Sequence, residues 1–524
     1  MKGMLADRIA WTVGAILVAA YVAVFVHLSP VLPLQDFPNH LARAVVMADL
    51  IFRHGTTFGE AFNYRFLAVP YVLGDLLLTV AVQLLGVKGA AALWSTFILL
   101  SLPAALLFYL RTARVPAKIL PLTLILSLYL ATDWFFVVGF LEFRLGIAAT
   151  LVVLAVAQLL RRRWSLPLYV LFCALVVLGY LIHLTVIIFA AAALGVSALL
   201  KLWRGTTTLR QETALLAPLG VAFACQFGVA NHYRNPGDLV AEQYYWGTPY
   251  TKILGLGAEF IRYHEIWDIL MSAMLAVCVL WPIRRNLNRS RLTEPGVVEM
   301  LTVAGAFLAL YIVLPIAYAD AFFVDIRALP LVTLFLMAAC FSMLDPIPTA
   351  RLAGAAIVLP LAALLAIANL AYLSKHMLDG SSWITSYRAV VAAIPRGARV
   401  LPVYTQHKEG KVKPLAHIAS YVVMDRGGVI PYLFSGDNGS PMRYFRYVDR
   451  PYSPDEDWYN ISTSPPPVDW KAVACQYDFL LVMKPFLSDR IRVASTTVAE
   501  NRTAALLAIP KQACASSQDG APDR

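Results

Sequence analysis

The chain has 524 residues, of which 59% are hydrophobic and 14% charged, with a formal net charge of +11 and a mean hydropathy of +0.67. That composition excludes an ordinary soluble globule and predicts a polytopic α-helical membrane protein. The excess Lys and Arg fall in short loops between apolar runs, where they set orientation, so the charge does not argue for a nucleic-acid partner.

The first apolar run, 9–28, follows Lys2 and Arg8. It is long enough to span and no small-residue cleavage site follows it, so it reads as a retained first helix. Ten further segments of spanning length lie at 90–110, 118–132, 140–160, 165–182, 183–201, 213–230, 266–283, 299–317, 329–345 and 351–373. The run 66–86 is ambiguous, because it begins Phe66-Leu67-Ala68-Val69-Pro70 and carries Asp75.

Loop charges decide how 66–86 is read. If it does not cross, one face of the membrane holds Lys2 and Arg8, Arg111, Arg114 and Lys118, Arg161 to Arg163, Lys201, Arg204 and Arg210, Arg284 to Arg291, and Arg351. The other face then holds Asp36, Glu60, Asp133, Glu142, Asp238, Glu242, Glu259, Glu265, Asp320 and Asp325. If it does cross, the Arg161–Arg163 and Arg284–Arg291 clusters change sides. The positive-inside bias favours about 11 transmembrane helices, with 66–86 a re-entrant or interfacial helix on the outer side.

An odd number of spans puts the end of the chain outside. The reading is therefore a transmembrane domain over 1–374, with a first outer loop at 29–65, and an extracytoplasmic α/β domain over 375–524. In the second part, Trp383 to Ile394 reads as a helix, Arg399 to Tyr404 as a strand, and Leu415 to Met424 as an amphipathic helix before Gly427-Gly428. Val429 to Phe434 and Phe479 to Met483 read as strands, and Val493 to Ile509 as a hairpin turning at Glu500-Asn501. Residues 451–468 read as a surface loop and the last ten as a disordered end. Cys173, Cys225, Cys278 and Cys340 fall in apolar spans and read as small core residues. Cys475 and Cys514 can form a disulfide if the domain is outside the cytoplasm. No CxxC or HxxxH spacing, internal repeat, P-loop or GxGxxG occurs.

Ionisable residues near membrane depth are expensive and so mark candidate sites. In Asp36-Phe37-Pro38-Asn39-His40-Leu41-Ala42-Arg43, the acid stands at a helix start, where it either caps the helix or shares a face with Asn39, His40 and Arg43. A carboxylate beside imidazole and guanidinium suits proton transfer and an anionic phosphate ligand. Asp133 to Arg144 is an aromatic stretch in which Glu142 and Arg144 point apart on a helix; it reads as an interfacial belt or as the mouth of a cavity. His183 stands where two apolar halves meet, as a structural or a functional imidazole. The 231–265 loop, with His232, Tyr233, Arg234, Tyr244, Tyr245, Trp246, Arg262, Tyr263, His264 and Glu265, suits a sugar or pyrophosphate and equally an interface anchor. Arg327 opens a late span as a candidate phosphate clamp, and Asp325 as a local ion pair.

Taken in order, these features resemble the GT-C class of polyprenyl-phosphate-dependent membrane glycosyltransferases, as a divergent bacterial branch. They are an early loop acid (Asp36), an apolar outer helix (66–86), a span ending Leu110-Arg111-Thr112-Ala113-Arg114, an outer-end Asp133, Arg327-Ala328-Leu329-Pro330 opening a late span, and a closing α/β domain. The resemblance implies transfer of a sugar from a polyprenyl-phosphate donor to a glycan, lipid or protein acceptor at the outer face of the cytoplasmic (inner) membrane, with a periplasmic domain. Asp36 would be the general base and Arg327 a phosphate contact. His40, Arg43 and Arg144 would be auxiliary contacts, and a divalent metal (Mg or Mn) could use Asp36 and Asp133; by their own placement in the sequence, Asp133, Glu142, His183 and His264 are further candidate substrate or phosphate contacts. Members often carry two adjacent acids or an Asp-Glu pair in this loop, whereas Asp36 stands alone before Phe37-Pro38. The alternative is a transporter or assembly protein that keeps the fold without turnover.

Overall fold

The computed structural model describes residues 2–28, 31–232, 244–286, 289–318, 321–344, 355–403, 409–436, 444–454, 468–483, 495–511 and 514. Tyr233, Arg234, Asp238, Glu242, Asp320, Arg351, Tyr404, most of the 451–468 loop, residues 493 and 494 and the last ten residues lie outside them. In chain order the first elements are α1 (Lys2–Leu28), α2 (Phe37–Phe52), β1 (Phe62–Tyr64), α3 (Val72–Thr112), α4 (Leu120–Ala131), α5 (Trp134–Val138) and α6 (Leu141–Arg162). There follow α7 (Leu166–Ile182), α8 (Leu184–Trp203), α9 (Leu209–His232), β2 (Tyr244–Tyr245), α10 (Pro249–Gly255), α11 (Glu265–Asn286) and α12 (Pro295–Val313). Next come β3 (Ala317–Tyr318), β4 (Ala321–Phe322), α13 (Leu329–Ser342) and α14 (Ala355–Val391). The remainder is β5 (Val400–Val403), α15 (Ser420–Arg426), β6 (Phe445–Tyr447), α16 (Trp470–Gln476), β7 (Phe479–Met483), β8 (Thr496–Glu500) and β9 (Ala504–Ala508).

This is a multi-pass membrane protein with a small sheet domain. Seven helices (α1, α3, α6, α8, α11, α12 and α14) are long and apolar enough to cross a bilayer, and α4, α7 and α13 are shorter apolar helices. With α9, these helices coincide with the eleven apolar segments read from sequence. A buried polar network holds the bundle together where backbone hydrogen bonds cannot. Asn369 on α14 donates to Tyr21 on α1 at 2.8 Å and to Thr132 at 2.9 Å, and accepts from Arg262 at 2.7 Å.

The 66–86 run becomes helical at Val72 and breaks at Gly86 (φ 68°, ψ 174°), a left-handed conformation that suits glycine, before α3 resumes as the next span. The arm from residue 72 to residue 85 is about 21 Å long, short of the ~30 Å hydrocarbon core. It exposes Leu77, Val80, Leu84 and Leu85 and buries Gly74, Asp75, Leu78 and Thr79. One face is thus suited to lipid and the other carries a carboxylate inward.

The sheet domain has strand order β5-β7-β9-β8, with β5 and β7 parallel and the other pairs antiparallel. β8 and β9 form the hairpin read from sequence. Two elements differ from that reading. The helix before Gly427 begins only at Ser420. Val429 to Phe434 is not a strand: after one bridge from Arg399 to Val429, its backbone turns away to bond α2 and Tyr447. Cys475 and Cys514 are joined by a disulfide, with Cα atoms 5.0 Å apart.

The two parts of the molecule are sewn together. β1, from the first long loop, pairs antiparallel with β6 in the register Phe62↔Tyr447, Asn63↔Arg446 and Tyr64↔Phe445. Phe62 stacks on Phe445 at 5.3 Å and meets Tyr447 at 4.6 Å. α14 runs on without interruption from the bundle into the sheet domain, where Tyr387 is fully buried. Between these two seams α2 lies against α3 on one side and α15 on the other.

Candidate functional site

α2 brings the first cluster together because Asn39, His40 and Arg43 recur at helical spacing and all three are buried. Arg43 is 0% exposed. It grips Asp75 on α3 with a two-pronged bond, Nε to Oδ2 at 2.8 Å and Nη2 to Oδ1 at 2.6 Å, and the Tyr444 hydroxyl donates to the same carboxylate. Arg43 Nη2 also donates to His40 Nδ1 at 2.8 Å. A guanidinium only donates, so that ring nitrogen is unprotonated and the proton sits on Nε2. Burial, then Arg43 and His417, hold the His40 imidazole well below its ordinary range. His40 is therefore neutral, and its 3.4 Å approach to Glu142 Oε1 is not an ion pair. That oxygen of Glu142 has no hydrogen-bond partner among the described residues.

Asp36 occupies the N-cap position of α2, yet its side chain makes no cap hydrogen bond. Only its carbonyl serves the helix, accepting from Asn39 and His40 at 3.0 and 3.3 Å. The carboxylate instead lies 3.5 Å from His417 Nε2, and its charge is felt by Glu142. Asn39 anchors the arrangement by donating to Tyr432 O at 2.9 Å and accepting from Phe434 N at 2.8 Å.

The turn between α5 and α6 joins this cluster to Arg327. Asp36 N donates to Val138 O at 2.9 Å, and Gly139 passes so close that a Cβ there would stand 2.8 Å from Asp36 N. On the other side of the turn the Arg327 guanidinium lies over the rings of Phe140 and Phe143 at 5.4 and 5.6 Å. It donates to Phe322 O at 3.2 Å, while its Nε has no partner among the described residues. Arg327, Tyr71, Glu142 and His183 are electrostatically linked.

The other residues singled out from sequence are placed differently. Asp133 caps α5 through Phe136 N at 3.1 Å and pairs with Arg144 at 2.6 Å, so this acid and this arginine hold each other and Asp133 forms no metal group with Asp36. Glu142 and Arg144 point apart, as their spacing requires. His183 ends α7 and caps α8: Nδ1 accepts from Thr185 N at 3.1 Å and Nε2 meets the Tyr71 hydroxyl at 3.0 Å. His264 is exposed before α11, where its backbone N–H is engaged by Asp268, and it is not brought into the cluster. Arg262, in the same aromatic stretch, is buried in a pair with Asp268. Asp325 pairs with Lys252 at 2.7 Å. Glu259, bonded by Thr333, is pushed up to about 8 by burial.

The residues that sequence reasoning missed are Asp75, Tyr444 and His417. Asp75 carried a signal, since a carboxylate in an apolar run needs a partner. His40, Asp75 and Glu142 present ligand atoms within 4.8 Å of one another and could hold a metal ion. As they stand, however, Arg43 takes the His40 Nδ1 lone pair and, with Tyr444, both oxygens of Asp75, so only the Glu142 oxygen is left as a free ligand and the set does not fit a divalent metal without rearrangement.

Comparison with solved structures establishes the fold. ArnT from Cupriavidus metallidurans in the apo state matches at 12% identity over 95% of this chain and 98% of that one, with a TM-score of 0.56. The same protein bound to undecaprenyl phosphate matches at 13% identity with the same coverage and a TM-score of 0.55. The apo oligosaccharyltransferase of Archaeoglobus fulgidus matches at 11% identity over 90% of this chain and 69% of that one, with a TM-score of 0.47. No family model matches the chain, and no curated protein matches it by sequence. The likeness to ArnT at such identity is one of fold.

Proposed function

For a chain with the GT-C fold, we propose the transfer of a sugar from a polyprenyl-phosphate donor to a hydroxyl acceptor at the membrane face that bears Asp36. The observation that carries this reading is the α5–α6 turn, which holds the Asp36 backbone on one side and the Arg327 guanidinium on the other. A carboxylate not spent on capping its helix and a cation with an unspent donor flank one short segment. The ArnT structure with bound undecaprenyl phosphate supports the lipid-phosphate class of donor.

In the reaction Asp36 takes the acceptor hydroxyl proton as that oxygen attacks the anomeric carbon. The carbon–oxygen bond to phosphate breaks, the polyprenyl phosphate leaves with the electron pair, and the configuration inverts. Arg327 is placed to hold the phosphate oxygens, and a guanidinium does so with two donors at once. His417 orients the Asp36 carboxylate. The basic loops on the opposite side and the disulfide support a reading with the Asp36 face and the sheet domain outside the cytoplasm, as in a bacterial inner membrane.

Asp36→Asn keeps the shape and removes the base. Transfer of radiolabelled sugar from a polyprenyl phosphate should fall at least about a hundredfold while expression survives. Full transfer by the Asn variant would remove the base assignment. Binding of the donor by the native protein without any turnover would favour the assembly-protein reading.

A further inference from the structure

The helix ends opposite Asp36 enclose a second polar site. α6 carries Glu142 in its first turn and Arg161 and Arg162 in its last, which puts the two ends about 30 Å apart. At the Arg161 end, the tips of α3, α6, α8, α9 and α12 surround a cavity of about 260 Å³.

Its inner wall is electrically closed. Arg161 donates to Glu212 at 2.6 and 3.1 Å and to Ser197 at 2.9 Å. Glu299 receives Lys201 and the Ser197 hydroxyl. Two cations and two carboxylates cancel, and Arg162 is left over. It is exposed at the rim and donates no hydrogen bond among the described residues. Lys201, a quarter exposed, still has donors to offer.

The start of α12 completes the site. Glu294 at its N-cap makes no side-chain cap, and Gly296 lines the cavity where an added Cβ would meet nothing within 4 Å. The first N–H groups of a helix have no partner within it and carry positive potential. One surplus guanidinium, the unused donors of Lys201 and open amides around a cavity this small suit a tetrahedral monoanion and its immediate substituent. The exposed rings of Trp164 and Trp203, at the ends of α6 and α8, mark this level as a membrane–water boundary.

We propose that this cavity binds a phosphate ester, and that an anionic phospholipid of the adjoining leaflet supplies it. The site is separate from the one assigned to transfer and stands or falls independently of that reading.

The test uses the purified full-length protein, with phosphatidylglycerol and glycerol 1-phosphate as probes in native mass spectrometry. Arg162→Gln removes the surplus cation at an exposed position, and Gly296→Leu fills the open space without changing charge. The native protein should retain phosphatidylglycerol, and each variant should bind it at least about tenfold more weakly at unchanged melting temperature. Retention of glycerol 1-phosphate alone, lost in both variants, would uphold the site with a soluble source. Binding of neither probe, or equal binding to native protein and both variants, would overturn the proposal.

Discussion

At the scale of single residues, the Arg43–Asp75 pair is a fully buried commitment. Both side chains are essentially inaccessible, and every oxygen of the carboxylate is used. Removing one partner strands the other charge, which typically costs about 3–5 kcal/mol. Asp75→Ala should therefore lower the melting temperature in detergent strongly. The double variant Arg43→Met, Asp75→Ala should recover part of that loss, since an apolar replacement of both partners is far cheaper. Equal melting of single and double variants would contradict a buried charge pair. Much of this site was legible, because helical spacing alone grouped Asn39, His40 and Arg43. Their partners were not: Tyr444 lies 369 positions from Asp75 and His417 lies 378 from Asn39, so only the folded chain brings them together.

At the scale of elements, the α5–α6 turn is where geometry is least forgiving. Gly139 has φ +87°, and an added Cβ would press on backbone atoms of Asp36 and Phe37 at 2.8 and 2.9 Å. Backbone cannot rotate away as a side chain can, so Gly139→Ala should displace the start of α2. Transfer should drop at least about tenfold, the effect of a misplacement near 1 Å or less. Gly86→Ala is the control, because that glycine has a similar φ of +68° but open space around it. It should cost about 1–2 kcal/mol of stability from the left-handed backbone alone and leave transfer nearly intact. The spanning helices are plain in the sequence because an apolar run of that length can satisfy its own backbone in lipid by coiling into a helix. The Val429–Phe434 segment is not, because its apolar composition suits a strand while its backbone groups are claimed by Asn39 and Tyr447.

At the scale of the whole molecule, the sheet domain is held by the β1–β6 pairing, by α14 and internally by one disulfide. Cys475 and Cys514 close a loop of 39 residues, a constraint worth about 4 kcal/mol of chain entropy. Reduction should lower the melting temperature of the sheet domain while the helical signal of the bundle persists to higher temperature. Alkylation of Cys475 and Cys514 in the unreduced native protein, read by peptide mapping apart from the four free cysteines, would contradict both the bridge and the oxidising side assigned to it. The resemblance in overall order foretold this architecture. It could not foretell that the second domain helps build the site.

α14 is 37 residues long, about 55 Å of unbroken helix, with Asn369 locked in the bundle and Tyr387 locked in the sheet domain. A strut of that kind resists bending far more than sliding or twist. The sheet domain, which sets His417 beside Asp36, is thus carried on a rigid strut and is no swinging cover.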